Sequence, residues 1–148
     1  MKKKPVFELK KTLVSTVNGS VGSKMFRKCH FNIRNKSTEV LDNGDLACAF
    51  YVSTILIMFS LIKELHTTVL ALEKDMIDSG WKRIENPRVG SVIIYGPKTY
   101  ESGKIHRHLG FFVGAGKVVD NSSEKKMPVK RKWNYRKVES IWWHNKLS

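Results

Sequence analysis

The sequence has few cysteines. Only Cys29 and Cys48 occur among its 148 residues, and two cysteines exclude a disulfide-rich scaffold as well as the paired C-x-x-C motifs of structural zinc sites. A reactive Cys48 would have to stay reduced, which argues against a bridge to Cys29. His106 and His108, even with Cys29 and His30, lack zinc-finger spacing. The sequence therefore indicates no metal and no other cofactor.

Acidic residues are also scarce. Lysine and arginine number 27 and aspartate and glutamate 13, which gives a net charge of +14. Residues 1–12 and 124–137 carry much of the excess. Such a charge favours anionic partners such as nucleic acid, anionic lipid or acidic cell-wall polymers. A solvated basic face with no specific ligand explains the same pattern, and both interpretations stay open.

Long apolar runs are missing. Residues 46–62 form an uncharged stretch of 17 residues that contains serine and threonine, whereas a membrane-spanning helix needs about 20 apolar residues. The pattern favours a buried core helix and no integral membrane segment. Charged residues follow the basic residues 1–4, so no Sec signal is visible. A cytoplasmic location and release or export by a non-Sec route are both compatible with the sequence.

The apolar pattern predicts an α+β fold. A helix is expected over residues 46–64, apolar on nearly every side and therefore in the core. A second, amphipathic helix is expected over 67–79, with Gly80 just beyond its end. Period-two patterns then predict strands over 89–95, 108–113, 117–121 and 138–143. Helices followed by an antiparallel sheet are typical of α+β proteins.

One domain fits a chain of this length. Residues 1–22 are expected to form a basic N-terminal arm or a peripheral strand, and residues 23–148 a single domain. Asparagine and glycine interrupt residues 23–45, which predicts irregular structure there. Asp45 follows a turn and is predicted to cap the first helix of the domain.

Cys48 lies about three residues after this predicted cap, in the first turn of the apolar helix. A helix N-terminus stabilises a thiolate, so the position suits a nucleophile. Most cysteines in apolar helices are nevertheless small core residues. A nucleophilic cysteine also needs a base within hydrogen-bond reach and a third group that orients the base.

A predicted hairpin supplies both groups. His108 begins an apolar strand, Ala115-Gly116 forms a tight turn, and the second strand returns to Asp120 and Asn121. Residues near the open end of a hairpin face each other, so one of these two is expected beside His108, where it can orient the imidazole. A gapless hairpin would bring Asp120 there, and a one-residue bulge would bring Asn121.

Together these segments resemble the NlpC/P60 family of papain-like cysteine peptidases, which is related to the CHAP amidases. The matching elements cover about residues 42–122: Cys48 at a helix start, the segment P-R-V-G-S-V-I (87–93), and the segment H-L-G-F-F-V-G (108–114). The resemblance implies a papain-like core, in which N-terminal helices, with the nucleophile at a helix start, pack on a small antiparallel β-sheet.

The resemblance also implies a function. Cys48 would be the nucleophile, His108 the general base, and Asp120 or Asn121 the third member of a triad. The expected activity is hydrolysis of an amide or peptide bond, in a peptide or a peptidoglycan fragment, by an endopeptidase or amidase. The basic runs would add an anionic polymer as a partner.

Two other classes stay open. The family often carries Asp before its cysteine and Ser-Gly after it, whereas this chain has Ala47 before Cys48 and Ala49-Phe50 after it. That departure allows a catalytically silent papain-like module that binds or scaffolds. The basic run with Trp133 and Tyr135 allows a protein that binds nucleic acid by stacking, or one that binds a membrane surface.

Overall fold

A computed structural model describes residues 2–44, 46–100 and 102–148. These residues form three α-helices, two antiparallel sheets and a short C-terminal 3₁₀-helix, so the α+β prediction is confirmed. The helices are α1 (Leu9–Gly19), α2 (Cys48–Met58) and α3 (Val69–Asp78). The strands are β1 (His30–Ile33), β2 (Lys36–Glu39), β3 (Lys82–Ile84), β4 (Val92–Thr99), β5 (Ile105–Gly114), β6 (Lys117–Ser122), β7 (Met127–Lys132) and β8 (Val138–Trp143).

The larger sheet has six antiparallel strands in the order β3-β8-β4-β5-β6-β7. Alternate residues of these strands point to opposite faces. On one face, Leu109, Phe111 and Val119 join the main core beneath the helices. The other face carries a smaller cluster around Ile93 and Tyr95. The central strands β4 and β5 therefore present residues to two different environments.

The expectation of an arm or peripheral strand over residues 1–22 is wrong for residues 9–19, which form α1. Leu13 and Val17 are buried, and Leu9 packs against the same core. These three residues follow one another at four-residue spacing, which places them on one face of a helix. The lysines beside them stay on the solvent face, and their charge obscures the apolar stripe.

Helix α2 is shorter than predicted at both ends. It begins at Cys48 itself, after Ala47, which makes no side-chain cap; the predicted cap, Asp45, lies outside the described residues. At the other end Ser60 adopts a positive φ of 57°. Its N–H donates to the Ile57 carbonyl, and the Leu61 N–H donates to that of Leu56. This pair of bonds is a Schellman motif, which ends the helix at Met58 although the sequence stays apolar.

Helix α3 is close to its predicted span. The Thr68 hydroxyl accepts a hydrogen bond from the Ala71 N–H and caps its start. At its end Gly80 takes a φ of +98°. The Gly80 and Trp81 N–H groups donate to the carbonyls of Ile77 and Met76. The glycine was recognisable because its residue type favours this position.

Three strand regions were not predicted. Residues 23–45, expected to be irregular, contain the β1–β2 hairpin, whose two-residue turn places Arg34 and Asn35 at positive φ. Strands β3 and β7 form the two edges of the larger sheet. Lysine-rich β7 is typical of an edge strand, where charge prevents pairing with another chain. Charge of this kind conceals the alternating pattern on which strand prediction depends.

Within the part of the chain that the structure describes, no helix has both the length and the apolarity to cross a membrane.

Candidate active site

The site lies where the N-terminus of α2 meets strands β5 and β6. Cys48 is half-buried as the first residue of α2, so its backbone N–H has no acceptor within the helix. Tyr51, one turn later, packs edge-on against Phe111 of β5 with ring centroids 6.0 Å apart. This contact anchors the first turn of the helix on β5.

His108 is the residue that the sequence predicts as the base. It lies on β5 opposite Tyr95 of β4 and is only 5% exposed. The Cys48 side chain lies close enough to this ring to raise the pKa of His108. His108 Nε2 lies 3.0 Å from Oδ2 of Asp120, an ion pair in which the ring N–H does not align with the oxygen. With Nε2 turned to Asp120, Nδ1 is the nitrogen that can exchange a proton with Cys48.

Asp120 is fully buried and has two further partners. Arg131 of β7 donates from Nε to Oδ1 over 2.9 Å, and its Nη2 lies 2.8 Å from the same oxygen. The Tyr135 hydroxyl donates to Oδ2 over 2.6 Å. The Arg131 guanidinium also lies over the Tyr135 ring, 4.0 Å from its centroid. A buried carboxylate needs such partners to remain ionised, and these partners fix its orientation toward His108.

The hairpin geometry corrects one expectation. A bulge was expected to bring Asn121 to His108, but the structure has a register shift between Phe112 and Gly114 and still brings Asp120 there. The extra residue on β5 places Asp120 opposite Gly110, two residues from His108 on the same face. Without the bulge, alternation would have turned Asn121 toward that face.

Asn121 points to the other face and has a different contact. Its Nδ2 donates to the Gly44 carbonyl over 3.0 Å, and the side chain is 1% exposed. Gly44 lies four residues before Cys48. Asn121 therefore holds the segment that leads into α2 and does not contact the imidazole as a third triad member would.

Gly110 is required by the close approach of β6. A Cβ atom at this position would lie 2.7 Å from both the Asp120 Cβ and the Val119 carbonyl oxygen. Neither atom can move without displacing the strand. The glycine in the H-L-G segment thus lets the Asp120 carboxylate lie beside His108.

Electrostatics favour a charged His108–Asp120 pair. Burial alone would lower the pKa of His108, but the Asp120 carboxylate and the Cys48 side chain outweigh it and raise the pKa to about 9. Burial would raise the pKa of Asp120, whereas His108, Arg131 and Tyr135 together lower it. At neutral pH the imidazole is therefore protonated and the carboxylate ionised.

The other candidates from the sequence lie outside this group. His106 packs against Tyr100 with the two rings tilted by 46° and their centroids 5.4 Å apart. Cys29 and Cys48 are both free thiols. Among the described residues, no three His, Cys, Asp or Glu side chains converge as metal ligands would.

Arg131 and Tyr135 are the site residues that the sequence did not reveal. In the sequence they belong to a basic, aromatic run that suggested an anionic partner. The sequence does contain one indication that such residues exist, because an aspartate buried on an inner strand needs hydrogen-bond donors. Identifying those donors required the β6–β7 pairing, which places Val129 opposite Asp120.

Chemically, this arrangement can support nucleophilic catalysis. It combines a thiol at a helix start, a protonated imidazole and a fixed carboxylate, the components of a Cys–His–Asp triad. In comparisons with protein-family models and with curated proteins, the chain has no match. The chemistry of the site therefore has to be inferred from its own geometry.

Proposed function

We propose that this chain is a papain-like cysteine hydrolase that cleaves an amide or peptide bond. The observation that carries the proposal is the position of His108, which lies 3.0 Å from Asp120 and close enough to the helix-terminal Cys48 for this side chain to raise its pKa. Isolated cysteines and histidines are common in cores. A buried histidine that joins a helix-terminal thiol to a buried carboxylate has the connectivity of a catalytic triad.

In the proposed mechanism, His108 holds the proton that leaves Cys48, so the sulfur attacks the substrate carbonyl as a thiolate. The protonated imidazole next donates that proton to the leaving amine, and an acyl-enzyme forms. His108 then takes a proton from water, which attacks the thioester and releases the acid. Asp120 keeps the ring oriented and stabilises the imidazolium throughout.

The oxyanion formed in each step needs donors. The Cys48 backbone N–H is unpaired within the helix and lies at the helix N-terminus, the positive end of the helix dipole. It is therefore the proposed first donor of an oxyanion hole.

The proposed family is NlpC/P60, within the papain-like superfamily. Support comes from the order of the elements: α2 with its terminal cysteine, the P-R-V-G-S segment before β4, and the H-L-G segment on β5. The P-R-V-G-S segment forms a turn in which Gly90 has a φ of +98° and its N–H donates to the Phe112 carbonyl. The corresponding substrates would be peptides or peptidoglycan fragments.

Selective alkylation tests this proposal. We expect iodoacetamide at pH 6 to label Cys48 at least about tenfold faster than Cys29, because a neighbouring imidazolium stabilises a thiolate. Burial and Glu39 raise the pKa of Cys29, which makes it a matched internal control. Peptide mass spectrometry after timed quenching measures both rates.

A His108→Ala variant completes the test by removing the imidazolium while both thiols remain. It should lose the excess reactivity of Cys48. Equal, slow labelling of the two cysteines in the unmodified chain would refute the hydrolase proposal and favour a catalytically silent module.

A further inference from the structure

The β1–β2 hairpin forms a small sheet of its own, outside the larger sheet. Among the described strands, β1 and β2 pair only with each other, and all four residues of β1 are exposed. A two-stranded hairpin is at best marginally stable in water, because it buries little apolar surface. Large apolar side chains on such a hairpin therefore need an explanation.

One face of the hairpin is apolar at its centre. Phe31 and Ile33 are two residues apart on β1, so their side chains project from the same face. They are 46% and 49% exposed. Thr38 and Lys36 lie directly opposite them on β2 and share this face. The described part of the chain thus leaves about half of this apolar centre uncovered.

The same segment is strongly basic. Residues 24–36 contain no aspartate or glutamate, and their lysines and arginines are Lys24, Arg27, Lys28, Arg34 and Lys36. All of these except Arg27 are exposed. Lys36 lies opposite Ile33, and Arg34 follows Ile33 in the turn. Positive charge therefore borders the apolar side chains directly.

The acidic residue of the hairpin belongs to its other face. Glu39 lies opposite His30, and both alternate with the residues of the apolar face. The Glu39 carboxylate accepts hydrogen bonds from the backbone N–H groups of Cys29, Leu41 and Asn43. It therefore holds the segments that flank the hairpin, and the apolar face keeps its positive border.

We infer that this hairpin docks on the surface of an anionic lipid membrane. On such a surface, apolar side chains enter the boundary between headgroups and acyl chains, while neighbouring lysines and arginines bind the anionic headgroups. The hairpin presents both kinds of side chain on one exposed face. The inference goes beyond the hydrolase proposal and does not depend on it, because it uses none of the residues of the candidate active site.

Other occupants fit this face less well. A second copy of the chain would bring the same lysines and arginines together across a symmetric interface, where like charges repel. A single-stranded nucleic acid would require rings on which bases stack. Ile33 has no ring, and neither has Met25, which is 68% exposed in the same basic segment. Aliphatic side chains beside positive charge favour a lipid surface.

Co-sedimentation of the full-length chain with vesicles tests the inference. One set of vesicles contains equal amounts of phosphatidylcholine and phosphatidylglycerol, and the other contains phosphatidylcholine alone. We expect the partition coefficient to be at least about fivefold higher on the anionic vesicles, since each lysine or arginine near an anionic surface contributes about that factor.

A first double variant tests the apolar contribution. Phe31→Ser with Ile33→Ser should weaken binding to the anionic vesicles by about tenfold or more, because less apolar surface leaves water. The matched control is Leu70→Ser with Ile77→Ser, which removes exposed apolar side chains from α3. The control should leave binding unchanged.

A second double variant tests the charge and keeps the apolar face, so it remains informative even if the first variant does not fold. Lys28→Gln with Lys36→Gln should weaken binding to the anionic vesicles by about tenfold or more. Its matched control, Lys130→Gln with Lys132→Gln, removes the same charge from exposed positions on β7 and should have a much smaller effect.

Equal partitioning onto the two kinds of vesicle would overturn the inference, and so would a control that weakens binding as much as its hairpin variant. Tighter binding of a single-stranded oligonucleotide than of the anionic vesicles, lost in the same hairpin variants, would also overturn it and assign the hairpin to nucleic acid.

Discussion

Replacing Cys48 with alanine is expected to reduce the hydrolysis of p-nitrophenyl acetate, an activated ester, to the rate without enzyme. The loss should be at least about a thousandfold, because removal of a nucleophile abolishes the covalent route altogether. The fold should survive. Cys48 is half-buried at a helix end, and alanine is the best helix former, so the variant lacks only the sulfur.

The control is Cys29→Ala, which removes the other thiol and leaves Cys48, His108 and Asp120 unchanged. It should retain full activity. Circular dichroism and thermal unfolding of both variants establish that any loss of rate is chemical. Hydrolysis by the Cys48→Ala variant at the rate of the unmodified chain would contradict the proposed role of Cys48.

Replacing Asp120 with asparagine is expected to have the largest effect on stability. The fully buried carboxylate contacts His108, Arg131 and Tyr135. Breaking a buried ion pair costs about 3–5 kcal/mol, and the partial exposure of Arg131 places this case at the lower end, about 3 kcal/mol at pH 7. Hydrolysis should fall as well, because the imidazole loses the group that orients it.

The loss of stability in Asp120→Asn should depend on pH in a defined direction. The pKa of folded His108, about 9, exceeds the ordinary 6.5 of an unpaired imidazole. The stability that its pairing contributes is therefore fully present below about pH 6.5 and is lost as pH rises through 9. In Asp120→Asn, no carboxylate opposes the effect of burial, which lowers the pKa of His108. The contribution of the pair to stability therefore disappears. The stability difference between the two chains should narrow from pH 6.5 to pH 9.

Urea unfolding of both chains across this pH range measures the difference. The difference in stability should not fall to zero, because the Arg131–Asp120 pair of the unmodified chain persists at pH 9. Asp78→Asn, an exposed change of the same kind on α3, is the control and should cost little at any pH. An Asp120→Asn chain as stable as the unmodified one at pH 7, or a difference that is constant with pH, would contradict the assigned charge states.

Much of the site could be predicted from the sequence because its main residues lie on strongly patterned elements. The apolar stretch after residue 46 indicated a core helix with Cys48 near its start. The alternation after His108 indicated a strand and a hairpin return. Both signals are local, since they depend on residues within a few positions of one another.

The rest depends on backbone detail or on distant pairing. The bulge that turns Asp120 toward His108 ends at Gly114, which has a φ of +93°, but a glycine beside a tight turn does not by itself specify a bulge. The positive φ at Ser60, which ends α2, is uncommon for a residue other than glycine. The contacts of Arg131 and Tyr135 with Asp120 arise only when β7 pairs with β6. α1 is not evident from the sequence because Lys10 and Lys11 directly follow Leu9 and obscure its apolar stripe.

The central claim is that Cys48 attacks a carbonyl with the help of His108. Mass spectrometry of the full-length chain, quenched in acid during the first turnover of p-nitrophenyl acetate, tests it most directly. The predicted result is an acetyl group on the peptide that contains Cys48, absent from the His108→Ala variant under the same conditions. Acetylation of Cys29 or of lysines alone, or equal acetylation of Cys48 in that variant, would contradict it.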